Sequence, residues 1–478
     1  MSRHDALARA ARHFDDGGFL ATLREAVARP TESQAPGQIP ALAAYLAEFL
    51  VPATARLGFR HRLLDNPDGV HGPFLIAERH EDDALPTVLI YGHGDTVRGY
   101  PEQWRAGLDP WRIVVEGGRW YGRGTADNKG QHLVNLAALA AVAEARGGRL
   151  GFNAKLLIET GEETGSPGLR EVCRREREAL RADLLLASDG PRVSAERPTL
   201  FLGSRGAFNF ELAVDLREGG HHSGNWGGLL RNPGTVLANA IASLVDSRGA
   251  IRVARLRPPP IPPGVREALA DITVGGDPDG PAIDAEWGEP GLSPAERVYG
   301  WNALEVLAFK TGDPDGPLNA VPPSAKATLQ LRFVVGTDWE TLIPALRAHL
   351  DAHGFPMVAV RPARTEVFRA TRLPVEDPWV AWALASIAES TGKRPALLPN
   401  LGGSLPNDAF SEILGLPTLW VPHSYPACSQ HAPDEHLLAP LTREALVLMA
   451  GLYWDLGETG PAVLARRASG RGVRGGAP

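Results

Sequence analysis

The chain has 478 residues, 44% of them hydrophobic and 22% charged, with a formal net charge of -7. That length exceeds one ordinary core and fits two domains, one able to interrupt the other. The balance is that of a globular enzyme, and the negative charge gives no reason to expect nucleic acid or an anionic membrane as partner. Two cysteines, Cys173 and Cys428, cannot build a disulfide framework, so a reducing compartment, most simply the cytoplasm, is expected. The first residues mix acidic and basic groups without the apolar core of a signal peptide. No run of about 18 uncharged apolar residues suggests a membrane span.

From residue 40 to about 200, helical spacing alternates with apolar runs. Helices are expected at 41–50, at 131–145, and at 169–180, where Glu171, Arg174, Arg175 and Glu178 form a solvated face. Apolar runs at 87–91, 154–158 and 183–187, with a later one at 417–421, suit strands covered on both faces. Each leads to a metal-ligating residue type: His93, the pair Glu162 and Glu163, Asp189, and, after a turn, His431. In open α/β sheets the working site lies beyond the carboxyl ends of the strands, which is where these residues fall.

The pattern changes near Gly203. Residues 208–216 and 327–334 alternate apolar and polar side chains, as strands with one wet face do. Helices are expected at 233–246 and 339–353, a strand at 357–361 and a further helix at 379–390. The proline-rich stretch 257–264 reads as a stiff surface loop. The organisation this implies is an α/β domain over 1–202 and 369–465, interrupted by an antiparallel α+β insert over 203–368. Residues 466–478, rich in Arg and Gly, read as a disordered tail.

His93, Asp127, Glu163, Asp189 and His431 supply two imidazoles and three carboxylates. This mixed set suits zinc, manganese or cobalt better than calcium. Two divalent ions spaced about 3.5–4 Å apart would need one shared carboxylate, and a hydroxide between them would be a hydrolytic nucleophile. Asp127, on a glycine-punctuated loop entering a helix, is placed to be shared. Asp95 fits the role of fixing the His93 tautomer. Of the paired glutamates, one can bind metal while the other moves a proton.

Each residue alone has a plainer reading. A His-x-Asp is usually a surface pair, adjacent glutamates usually open a solvated helix, and an Asp after a strand is commonly a cap. His431 and His436 could be loop histidines, and Cys428 a small filler rather than a nucleophile. All these plain readings would have to hold together, in this order along the chain.

The runs Tyr-Gly-His-Gly-Asp-Thr from Tyr91, Tyr-Gly-Arg-Gly-Thr-Ala-Asp-Asn-Lys-Gly from Tyr121 and Glu-Thr-Gly-Glu-Glu-Thr-Gly-Ser from Glu159 resemble signatures of the co-catalytic zinc metallopeptidases. That family includes acetylornithine deacetylase, succinyl-diaminopimelate desuccinylase, glutamate carboxypeptidase and cytosolic nonspecific dipeptidase (carnosinase). The resemblance implies an aminopeptidase-like catalytic domain, with a mixed, mostly parallel sheet between helices, interrupted by a lid and dimerisation domain. It implies two divalent ions per subunit, zinc first, with manganese or cobalt as alternatives. His93 and Asp189 would hold one ion, Glu163 and His431 the other, and Asp127 both. Glu162 would be the general base, Asp95 the partner of His93, and the Asp127–Asn128 peptide bond cis.

His222, in His-Ser-Gly-Asn-Trp-Gly-Gly, is similar to the dipeptidase-branch histidine that reaches a neighbouring subunit's site to stabilise the oxyanion. Without that flanking motif it would read as a polar loop residue beside His221. Arg332 matches the position that grips the substrate carboxylate, although spacing alone fits an outward charge on a half-wet strand equally well. Gly403 and Ser404 lie in a run similar to a substrate-contacting Gly-Gly-Ser-Ile-Pro loop, which a plain glycine turn would also resemble. Asn319 stands where eukaryotic dipeptidases carry Thr and deacylases often Asn, and Asn407-Asp408 has no assigned counterpart. The expected activity is hydrolysis of the amide bond in dipeptides or short peptides with a free carboxylate, by a homodimer. An N-acyl-amino-acid deacylase with the same site is the alternative, followed by a non-catalytic peptide-binding homologue.

Overall fold

The computed structural model describes residues 2–275, 281–363 and 367–474, with residues 470–474 as backbone alone. Its larger sheet has eight strands in the order Arg60–Leu64, Phe74–Arg79, Asn153–Glu159, Thr87–His93, Leu184–Ala187, Thr418–Trp420, Thr199–Phe201, Ala396–Leu398. The four strands marked by the apolar runs are its contiguous centre and run parallel to one another. Antiparallel pairings join Arg60–Leu64 to Phe74–Arg79 and that strand to Asn153–Glu159, and recur between Thr418–Trp420 and Thr199–Phe201. The sheet is therefore mixed and mostly parallel, with its strands running between helices.

Alternation along the His93 strand explains the layers. Val88 and Ile90 enter one core with the helices Arg3–Asp15, Lys129–Ala145, Pro378–Thr391 and Ala439–Arg474. Leu89 and Tyr91 enter the opposite core with Leu169, Val172 and Phe410. Lys129–Ala145 is buried on nearly every side, which its Ala- and Leu-rich sequence permits. No helix of the described residues is long and apolar enough to cross a membrane.

The second sheet is antiparallel, in the order Ala303–Thr311, Ser324–Phe333, Gly206–Asp215, Ala359–Pro362. Phe208, Phe210, Leu212 and Val214 alternate inward on one strand and Ala327, Leu329, Leu331 and Phe333 on its neighbour. Helices Pro233–Leu244 and Leu342–Ala352 cover that face. Between these elements the proline-rich stretch leads into a short helix, Pro263–Leu269, whose Val265 and Leu269 join the core beneath the first sheet, as does Ile261 before it.

Three local expectations need correction. The helix expected at 169–180 stops at Arg175, where the chain breaks into turns. The one expected at 41–50 is part of a longer helical run over 39–56 that widens by one residue per turn across Tyr45–Leu50. Residues 466–474, expected as a tail, continue the helix begun at Ala439. Arg467 anchors that end, its Nε donating to Asp377 Oδ2 at 2.8 Å. Residues 475–478 lie outside the described ones.

Candidate metal centre and substrate cleft

The parallel strands carry their carboxyl ends to one edge of the sheet, and the ligand types gather there. His93 is the last residue of its strand and is fully buried. Its Nε2 lies 3.0 Å from Asp127 Oδ1 and 3.6 Å from Asp189 Oδ2. His431 Nε2 lies 2.8 Å from Asp127 Oδ2 and 3.0 Å from Glu163 Oε2. One carboxylate thus turns one oxygen to each of two imidazole–carboxylate groups, His93 with Asp189 and His431 with Glu163.

The loop bearing Asp127 is tightly built. The peptide bond from Asp127 to Asn128 is cis. Asn128 Nδ2 donates to the Ser188 carbonyl at 2.8 Å, beside Asp189. Gly130 has no room for a side chain, since a Cβ there would stand 2.0 Å from the Thr125 carbonyl oxygen. The neighbouring Lys129 is buried, with its Nζ donating to the carbonyls of Ala26 and Arg29 at 3.0 and 2.7 Å.

Asp95 holds two parts of the site together. Its carboxylate Oδ1 is 3.3 Å from His93 Nδ1, and its backbone carbonyl is 3.1 Å from the same nitrogen. The same carboxylate accepts from the backbone N–H groups of Glu162 at 3.2 Å and Glu163 at 3.1 Å, which fixes the turn bearing both glutamates. The loop bearing His431 is constrained as well, with Ser429, His431 and Asp434 all at left-handed φ.

The electrostatics fit a cation pair. Burial opposes charge on Asp127, yet hydrogen bonds from both imidazoles draw it far below the usual carboxylate range. Burial and the Asp127 charge push Asp189 up to about 6 and Glu163 up to about 7. Burial, together with the charges of Glu163 and Asp189, pushes Glu162 well above its ordinary value. Glu163 Oε1 and Asp189 Oδ2 are buried with no hydrogen-bond partner among the described residues. Buried acceptors without donors are costly, and a divalent ion in each group would satisfy them. The imidazole and carboxylate donors suit zinc-like ions.

A cleft of about 1170 Å³ opens beside these groups, bordered by Asp127, Glu162, Glu163, Asp189 and His431 on one side and by Arg332, Gln330 and Asn209 of the second sheet on the other. Strand alternation explains the far wall, because Leu331 and Phe333 fill the core while Arg332 and Gln330 take the opposite face. Arg332 Nη1 donates to Ser404 Oγ at 2.8 Å and its Nε to Gln330 Oε1 at 2.8 Å. Gly403 and Ser404 border the same cleft. Arg205 stands close by, pushed down to about 10 by burial and by the charge of Arg332.

His222 and Asn319 are placed together elsewhere. His222 is exposed, pairs with Ala320 across a two-residue ladder and does not border the cleft. The Asn319 carbonyl accepts from both the N–H and the hydroxyl of Ser223, at 2.9 and 3.0 Å. Cys428 is buried, and burial pushes its thiol up to about 11, which suits a packing role.

Sequence reasoning missed several polar groups of the site. Gln430 Nε2 donates to Asp127 Oδ2 at 2.5 Å, and its position just before His431 was the available signal. Asn209 and Gln330 face each other across the second sheet at 2.8 Å, a pairing that needs the strand register. Asp408 forms a two-pronged ion pair with Arg170, at 2.7 and 2.9 Å, linking the helix after the glutamate turn to the segment after Ser404. Asn407 is buried and receives Trp420 Nε1 at 2.8 Å, a packing role for the second unassigned residue.

Comparison with known proteins agrees with this architecture. The beta-Ala-His dipeptidase of Mus musculus is 33% identical over 292 residues, 57% of this chain and 56% of that protein. The cysteinylglycine-S-conjugate dipeptidase of Corynebacterium striatum is 32% identical over 57% of this chain and 58% of its own. The chain thus spans little more than half the length of these curated relatives. Among solved structures, human carnosine dipeptidase 1 superposes with a TM-score of 0.76 at 23% identity, over 95% of this chain and 99% of that one. Dug1p from Saccharomyces cerevisiae superposes at 0.78 with 20% identity, over 96% and 99%. These last two establish the fold. The model of peptidase family M20/M25/M40 matches residues 89–454, and the chain belongs to that family.

Proposed function

We propose that the protein is a metal-dependent dipeptidase, hydrolysing the amide bond of dipeptides or short peptides that end in a free carboxylate. The observation that carries the proposal is the Asp127 carboxylate, with one oxygen turned to the His93 group and the other to the His431 group. The names of the relatives support dipeptides as substrates.

Two divalent ions, zinc first and manganese or cobalt as alternatives, would be held by His93 and Asp189, by Glu163 and His431, and by Asp127 in common. When bound, such ions supply Lewis acidity to a scissile carbonyl and make water a nucleophile near neutral pH. Glu162, bordering the cleft beside these ligands, takes the proton from the attacking water and returns it to the departing amine. Asp95 keeps the glutamate turn and the His93 ring aligned with one another. Arg332 receives the substrate's terminal carboxylate; its hydrogen-bond partners, Gln330 and Ser404, are neutral, and Arg205 adds a second positive charge nearby.

His222 is read as acting on the cleft of a partner subunit, travelling with Asn319, in a homodimer formed through the insert at 203–368. The exposed side chains of Val306, Leu307 and Phe309 on the edge strand Ala303–Thr311 support a contact surface there. The cytoplasm is the proposed location.

The test is a panel of dipeptides run against N-acetyl- and N-succinyl-amino acids, using protein loaded in turn with zinc, manganese and cobalt. Turnover of dipeptides supports the proposal. Turnover confined to the acyl-amino acids, or none with any metal, overturns it.

A further inference from the structure

We infer that Glu435 is the positioning residue that sets the shared carboxylate, so that its loss weakens both metal positions together. This rests on the two-ion reading of the site and concerns a residue outside the ligand set.

Glu435 is buried, and both its oxygens are committed to the loop that carries Asp127. Oε1 accepts the backbone N–H groups of Ala126 at 2.9 Å and of Asp127 itself at 3.0 Å. Oε2 accepts Arg123 Nη1 at 2.7 Å and the Gly124 N–H at 3.1 Å. The Glu435 backbone carbonyl adds a bond from the Gly122 N–H at 2.9 Å. Pairing of His436 with Tyr121, in the short ladder of His436–Leu438 on Arg119–Tyr121, brings it into place.

The consequence lies in where Glu435 sits along the chain. It follows His431 in the same loop and grips the backbone on either side of Ala126, so one side chain fastens the loop bearing His431 to the loop bearing Asp127. Loss of a ligand such as Glu163 removes a donor from one metal position only. Loss of Glu435 frees the Asp127 backbone, and both oxygens of that carboxylate move relative to both imidazoles. An amide in its place would present a donor to N–H groups and to Arg123, so Glu435→Gln cannot preserve the four bonds. A buried ion pair serving stability alone would predict a lower unfolding temperature with metal binding unaltered.

The experiment titrates cobalt(II) into metal-free protein and follows the visible absorption of the ligated ion, with equilibrium dialysis giving the stoichiometry. Glu435→Gln is expected to weaken both binding steps in parallel, by about 10- to 100-fold, the range found when residues supporting metal ligands are removed. Glu163→Gln is expected to weaken one step only. Glu435→Asp keeps the charge facing Arg123 and remains the reading if the glutamine variant does not fold; it is expected to give a smaller, still parallel loss. Unchanged affinities in a folded Glu435 variant, or loss confined to one step, would overturn the inference. Because the ions are counted whether or not a peptide is cleaved, a failure of the dipeptidase reading is told apart from a failure of this one.

Discussion

Arg332 Nη1 reaches Ser404 Oγ at 2.8 Å, joining the second sheet to the glycine-rich loop that follows the strand Ala396–Leu398 of the first. The guanidinium is thereby held at the cleft with neutral partners. Arg332→Met should raise KM for dipeptides much more than it lowers kcat. A charge-assisted hydrogen bond is worth about 1.5–3 kcal/mol, so kcat/KM should fall about ten- to a hundredfold. Dipeptide amides, which lack the terminal charge, should lose little. Equal losses on acids and amides would remove Arg332 from carboxylate recognition.

Glu162→Gln keeps the shape of the turn and the backbone bonds to Asp95 while removing the basic oxygen. With proton transfer worth about 10²–10⁴-fold, kcat should fall by that factor with metal content unchanged. Metal analysis alongside steady-state kinetics checks this. Undiminished kcat would assign the proton to another group.

His222→Ala and Glu162→Gln chains should each be inactive alone if His222 serves a neighbour's cleft. Mixed dimers should then regain a fraction of the activity, because one of the two clefts has both residues intact. Subunit exchange followed by differently tagged chains, with no activity regained, would count against delivery between subunits.

Removal of metal should lower stability as well as activity. Glu163 Oε1 and Asp189 Oδ2, without hydrogen-bond partners among the described residues, would lose the compensation that ions supply, and ion binding at a hundred times Kd contributes about 2.7 kcal/mol per site. A chelated sample should unfold at lower temperature and recover when zinc is restored. An unfolding midpoint indifferent to metal would argue against tight sites.

His423 is expected to make the stability of the fold sensitive to acid. Burial, with the Arg192 charge beside it, holds its pKa well below the ordinary value, and Ser188 Oγ lies 3.0 Å from its Nε2. Below about pH 6.5 the unfolded chain takes up a proton there that the folded chain refuses, so stability is present above that pH and falls as the pH drops. The slope is up to about 1.4 kcal/mol per pH unit. Urea unfolding between pH 7.5 and 5 should show a shallower decline in His423→Gln than in the parent chain, and parallel curves would refute the assignment.

Much of the candidate metal centre was legible because its signals are local. Short apolar runs without polar alternation suit strands covered on both faces, and those at 87–91, 154–158, 183–187 and 417–421 proved to be neighbours. The strand containing Phe74–Arg79 and the edge strand Ala303–Thr311 escaped notice, the first among turn residues and the second because its exposed side chains break the alternation. Likewise residues 466–474 were misread as part of a tail, since composition at residue 466 cannot reveal an anchor at Asp377.

The sequence by itself determined which chemistry the site could support: imidazoles and carboxylates set after buried strands, and an arginine on an alternating one. Only the tertiary structure decided that Asp127 meets His93, 34 residues away, and His431, 304 residues away, through different oxygens of one carboxylate. It alone decided that Glu435 fastens their loops and that His222 stands apart from the cleft of its own chain. Residue types and periodicity follow from local physics, whereas these meetings depend on strand order and loop closure, which no local pattern encodes.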